Sequence, residues 1–130
     1  MNSLKNHLLI SVPHMNDDIF GRSVIYICEH NLEGAMGLII NKPMDDISFK
    51  DLKNVNHISN DRFQSLRMKL YFGGPILVEK IIALHTNELK IETAIPLNNK
   101  ISISSGEEII RNIENNMNLN YKLFCGHSGW

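Results

Sequence analysis

Apolar and polar positions alternate with a two-residue period along much of this chain, and the period lengthens to that of a helix in two places. Residues 7–12 read as a first strand closed by Pro13. Ser23 to His30 form a second, with Val24, Tyr26, Cys28 and His30 on one face and Ile25, Ile27 and Glu29 on the other. Both faces begin apolar, which puts this strand inside a sheet rather than at its edge. Asn31-Leu32-Glu33-Gly34 is a turn, and Ala35 to Lys42 returns as a third strand ended by Pro43. A four-residue turn sets Cys28 opposite Gly37 and Tyr26 opposite Ile39 in an antiparallel hairpin.

Ser48 opens a helix, with Asp51 completing a cap and Phe49, Leu52 and Val55 forming one apolar stripe. Residues 56–66 are polar and irregular. Met68 to Phe72 is a strand that runs into a backbone corner, Gly73-Gly74-Pro75. Lys80 to Thr86 and Lys90 to Ile95 are further strands, and Asn98-Asn99 is a hairpin turn. Ile101-Ser102-Ile103-Ser104 alternates, so that strand is half-buried. Ser105 caps a second helix with Glu107 and Glu108 in its first turn, and Ile109, Ile110, Ile113 and Met117 form its buried face. Tyr121 to Cys125 is the last strand. About seven strands and two helices without regular strand–helix alternation make an α+β fold.

Length and composition narrow the function classes. One hundred and thirty residues suit a single domain spanning 1–130, and 43% apolar content supplies a core without disulfides or metal. Thirteen basic residues against 14 acidic ones give a net charge of −1, which argues against broad electrostatic binding of nucleic acid. The stretch 48–70 holds Lys50, Lys53, Arg62, Arg67 and Lys69 against Asp51 and Asp61, a weak basic patch that fits a solvated face. No apolar run approaches the roughly 20 residues of a membrane span, and the N-terminus carries no signal-peptide pattern. The expected compartment is the cytoplasm, where Cys28 and Cys125 are reduced, buried thiols.

Motif chemistry is thin. Gly73-Gly74-Pro75 lacks the spacing and the following helix of a phosphate loop. Cys28-Glu29-His30 and Cys125-Gly126-His127 are two Cys-x-His pairs, but their apolar strand settings argue against a zinc site, so no metal and no cofactor is expected. His30 and His85 invite a hydrolase or transferase reading, for which histidines satisfied within the sheet are the plainer alternative.

Several segments together resemble the YqgE/AlgH family of small bacterial cytoplasmic proteins. They are Ile19-Phe20-x-Arg22 leading into the strand that ends at His30, Gly34-Ala35-Met36-Gly37-Leu38-Ile39-Ile40-Asn41-Lys42-Pro43, the Gly73-Gly74-Pro75 corner, Leu84-His85-Thr86, and the closing Gly126-x-x-Gly129-Trp130. The resemblance implies a bifurcated, mostly antiparallel β-sheet curled into a pseudo-barrel with flanking helices. It implies no agreed activity and no catalytic residues, although one branch is named for control of alginate production, which points to a transcriptional regulator. Two departures stand out: Gly21 occupies a position where relatives often carry a second basic residue before Arg22, and relatives continue past the Gly-Trp with a further segment. The expectation is therefore a domain lacking the family's C-terminal segment.

These readings converge on a ligand-binding or regulatory module. The expected pocket gathers His30, Asn41, Lys42, the Gly73-Gly74-Pro75 corner, His85 and Trp130, with Arg22 as an anion contact. The expected partners are a small polar or anionic ligand or another protein, with no membrane, no strong nucleic-acid binding, and self-association through the C-terminal strand edge.

Overall fold

The computed structural model describes residues 3–44, 47–48, 67–88, 91–113 and 120–130. Strand β1 (Leu8–Ile10) pairs antiparallel with β2 (Val24–Asn31), and β2 turns into β3 (Gly34–Ile39). Near the turn the expected register holds, with His30 opposite Ala35 and Asn31 opposite Gly34. Beyond it a β-bulge between Ile27 and Glu29 takes up one residue, so Gly37 faces Ile27 rather than Cys28, and Tyr26 faces Leu38 rather than Ile39. Both faces of β2 are covered. Cys28 packs with Leu38, Leu97 and Phe124, whereas Ile25 and Ile27 pack with Ile39, Phe20 and Phe72.

The organising strand is β10 (Tyr121–Gly129), which runs four residues past its expected end. Antiparallel to it on one side lies β7 (Ile76–Thr86), itself longer than expected at its start. The other side is shared: β6 (Leu70–Phe72) pairs parallel with residues 123–125, and β3 pairs antiparallel with Ser128 and Gly129. This division makes the sheet bifurcated. It occurs at Gly126, a bulge with φ 76°. Backbones cross so closely there that a Cβ on Gly74 (φ 149°) would lie 2.3 Å from the His127 carbonyl carbon. The Gly73-Gly74-Pro75 corner is thus a crossing point that has no room for a side chain.

On the far side of β7 follow β9 (Ile101–Ser105) and the two-residue edge strand β8 (Ile95–Pro96). The strand expected over 90–95 shrinks to β8, because Ile91–Ala94 close a turn (Ala94 N–H to Ile91 C=O, 3.1 Å) and Pro96 has no N–H to donate. The Asn98 turn forms as expected, its Oδ1 accepting the Lys100 and Ile101 amides at 2.7 and 2.9 Å. Strand β9 does alternate, but Ser102 and Ser104 are the buried positions and the isoleucines are half-buried. Helix α1 (Gly106–Ile113) follows Ser105 directly and packs on β7 and β9, burying Ile109 and Ile110 completely.

Sheet order is β1-β2-β3-β10-β7-β9-β8, and its two edges curl toward each other. Among the described residues no strand pairing joins them. Side chains join them instead: Asn6 Nδ2 donates to Leu97 C=O (2.9 Å), the Tyr26 hydroxyl donates to Asn6 Oδ1, and Asn98 Nδ2 reaches both Asn6 Oδ1 (3.3 Å) and the Tyr26 oxygen (3.4 Å). The result is a curled antiparallel half-barrel filled by Cys28, Leu38, Leu97 and Phe124.

Among the described residues there is one short helix, which by itself does not make up the expected flanking helices. The helix expected from Ser48 lies beyond the described residues; Ser48 itself belongs to β4 (Ile47–Ser48), paired with β5 (Arg67–Met68). Lys50, Lys53 and Arg62 of the basic stretch also lie outside the described residues. No described helix is long and apolar enough to cross a membrane.

Candidate functional site

The residues expected to share one pocket separate into distinct places. His30 stands at the turn end of the β2–β3 hairpin, where its Nδ1 accepts the Leu4 amide (2.8 Å). Asn41 and Lys42 stand beyond the other end of β3. Asn41 Oδ1 accepts from Val24, six residues before His30, so the two sites are roughly 20 Å apart along the strand. The Asn41 side chain is occupied at both atoms, with Nδ2 donating to the Arg22 carbonyl (2.9 Å). Lys42 Nζ donates to the Ile19 carbonyl. Arg22 is exposed, with φ 54°. The adjoining loop is ordered by Asp17, whose Oδ1 accepts the Phe20 and Ile19 amides at 2.7 and 2.8 Å. Those two backbone bonds, with a smaller contribution from Lys42, hold the Asp17 carboxyl below its ordinary range.

Trp130 exchanges backbone hydrogen bonds with Ala35 (3.0 and 3.1 Å), and its indole lies over Gly37, 6.5 Å from the Phe20 ring. The Gly73 carbonyl accepts from Ile39 (2.9 Å) and the Lys42 carbonyl accepts from Phe72 (2.8 Å). Asn41, Lys42, Arg22 and the glycine corner therefore adjoin one another, but the side-chain polar groups of Asn41 and Lys42 serve the backbone of neighbouring segments.

His85 lies elsewhere, on β7. It is 3% exposed, its Nδ1 bonds the Thr86 carbonyl (2.9 Å), and its Nε2 has no partner among the described residues. Ser102, its cross-strand neighbour, donates instead to Asn87 Oδ1. The Cys28 thiol donates to the Tyr26 carbonyl (3.7 Å), whereas His30 engages the Leu4 amide. Burial pushes the Cys28 thiol up to about 12 and raises that of Cys125 as well, so neither is a thiolate at neutral pH. Both cysteines are free, and no described cluster of His, Cys, Asp and Glu has the makings of a metal centre.

One concavity among the described residues takes in the expected His85 and its neighbours Leu84 and Thr86, but none of the other expected pocket residues. At the mouth of the half-barrel a groove of about 290 Å³ is lined by Tyr26, Ile40, Leu84, His85, Thr86, Ile101 and residues 120–122. Strand alternation places Ile40, Leu84 and Ile101 on the concave face, and all three also pack on the core. Among the described residues, Lys122 is the one charged residue in this lining. Its Nζ sits 4.3 Å from the centroid of the Tyr71 ring, and Lys69 Nζ sits 5.6 Å from the same ring. The signal that marks this site in the sequence is Lys122 itself, a charge at an inward-facing position of an otherwise apolar strand. A second hollow of about 260 Å³ lies at the hairpin turn, bordered by Glu29, Asn31, Glu33 and Trp130.

The bifurcated half-barrel has counterparts among known proteins. The family model described as AlgH-like matches residues 8–130. This chain belongs to that family. UPF0301 protein Bfl251 of Blochmanniella floridana is 34% identical over 134 residues, covering all of this chain and 69% of that protein. A UPF0301 protein of Francisella tularensis subsp. mediasiatica is 40% identical over 131 residues, covering 97% of this chain and 67% of its own length. The solution structure of the AlgH protein from Pseudomonas aeruginosa superposes with a TM-score of 0.74 at 29% identity, covering 98% of this chain and 67% of that one. Protein DIP2367 from Corynebacterium diphtheriae, at 21% identity and a TM-score of 0.68, shares the fold and covers 97% of this chain and 65% of its own. The names of these family members carry no catalytic activity.

Proposed function

We propose that this chain is a ligand-binding module of the cytoplasm whose site is the mouth of the half-barrel, and that it acts by changing the availability of that site to a partner. One observation carries the reading. The groove combines an apolar floor of Ile40, Leu84 and Ile101 with a few polar groups at its rim, the pattern of a small-molecule site, at the lower end of the usual size range of about 300–1,000 Å³. Catalysis is the weaker reading: the buried thiols are held protonated, and Ser102 donates its hydrogen bond to Asn87 rather than to His85. A regulatory role exercised directly on DNA is disfavoured by the net charge of −1, which leaves little counterion release to drive binding.

The test is native mass spectrometry of the purified protein, followed by methyl NMR with whatever is retained. A bound small molecule that shifts the Ile40, Leu84 and Ile101 methyl signals supports the proposal. Retained ligand that shifts only signals around Asn41 and Arg22 would move the site to the other end of the hairpin and defeat it.

A further inference from the structure

We infer that the molecule taken by the barrel mouth is an amphiphilic anion, with its apolar body on Ile40, Leu84 and Ile101 and its charged head against Lys122 and Lys69. This rests on the reading of the mouth as a ligand site and specifies what the site takes.

Lys122 is the second residue of β10. Its strand neighbours Leu123 and Phe124 are fully buried, and alternation puts Lys122 on the same face as Phe124, toward the hollow of the sheet. A lysine there must bring its ammonium along the concave face to the rim, and it does so by lying over Tyr71. Lys69 reaches the same ring. Among the described residues, no carboxylate pairs with either ammonium. Two cations that share one aromatic ring repel each other, and an anion bound at either ammonium relieves that repulsion. Lys122 lines the groove itself, and among the described residues that lining holds no acidic side chain to complement an organic cation. Its floor is apolar, so a bare inorganic anion would leave that floor wet. The arrangement matches a molecule with an apolar tail and one anionic end, either carboxylate or phosphate.

Octanoate, octyl phosphate and octanol share a tail and differ at the head, so they serve as probes in calorimetric titrations and methyl NMR of the full chain. The expected result is that at least one of the two anions binds about tenfold or more tightly than octanol, shifts the Ile40, Leu84 and Ile101 methyls, and weakens as salt is raised. The tighter of the two anions identifies the head. Lys122→Gln should bring the anion down to the affinity of octanol while leaving octanol binding unchanged, and Lys122→Arg should keep the preference. Thermal melts within a few degrees of the parent protein would show that the variants fold. Equal binding of octanol and both anions, unaffected by Lys122→Gln, would overturn the anionic assignment and leave the mouth as a site for neutral ligands. Failure of all three probes to shift any groove methyl would overturn both the assignment and the reading beneath it.

Discussion

Cys28 shows how burial, outweighing the nearby Lys5 charge, sets a side chain's chemistry. Its thiol stays protonated up to about 12 in the folded chain, against an ordinary value of 9.0. Between those values the unfolded chain has lost a proton that the folded chain retains, so stability falls as pH rises through this window. Burial shifts Cys125 in the same direction. Denaturant titrations at pH 8 and pH 10.5 should therefore show a loss of stability that Cys28→Ala reduces. Iodoacetamide at pH 8 should leave both native thiols unmodified until the protein is unfolded. Gly74 makes the steric counterpart: with φ 149° and a carbonyl carbon 2.3 Å from any added Cβ, Gly74→Ala should cost about 3 kcal/mol or more, read as a fall in the denaturation midpoint. The sequence already marked Gly73-Gly74-Pro75 as a place needing glycine. What it could not supply was the other backbone at the crossing, which arrives from residues more than fifty positions later. The same limit applies to Ser102 and Ser104. Alternation identified two faces of the strand, but it takes the packing of α1 on β7 and β9 to put the serines on the more deeply buried one.

Among the described elements, β10 packs against β3, β6 and β7. Phe124 is fully buried, 5.8 Å from the Tyr71 ring, and joins the cluster of Cys28, Leu38 and Leu97. Phe124→Ala should cost about 3–5 kcal/mol, measured by equilibrium unfolding, because the cavity would open where three strands meet. The first half of this strand was legible as an apolar run. Its continuation through Gly126-His127-Ser128-Gly129 was not, because two glycines and a serine read as coil until β3 and Ile76 supply hydrogen-bonding partners. The β2–β3 hairpin divides in the same way: its turn follows from local sequence, whereas its inner register depends on a bulge that no pattern of apolar residues announces. A candidate site built from conspicuous residues failed to collect His30 with Asn41 for a related reason, since strand length separates what sequence spacing appears to bring together.

At the level of the whole molecule, closure of the half-barrel rests on side chains rather than on a ladder. Asn6, Tyr26 and Asn98 come from positions up to 92 residues apart and meet at one seam. Asn98→Ala should cost about 1–2 kcal/mol, and a double-mutant cycle with Asn6→Ala should show coupling of at least about 0.5 kcal/mol, since each removes the other's partner. Additive effects would mean that the seam contributes nothing to closure. Strand β10 is flanked on both sides, so the free strand edge expected at the C-terminal side is not found there; the sheet's outer strands are β1 and β8, and Leu8 and Ile10 of β1 are 55% and 74% exposed. The central position of β10 also has a consequence in time. β3 and β7 are synthesised well before residues 121–129, and each must wait for the strand that will separate and join them. A growing chain therefore holds two unpaired inner edges, both apolar, for the interval in which the ribosome adds the intervening residues. Nascent chains arrested before residue 121 should recruit a holdase chaperone, and chains extended far enough for Gly129 to clear the exit tunnel should release it.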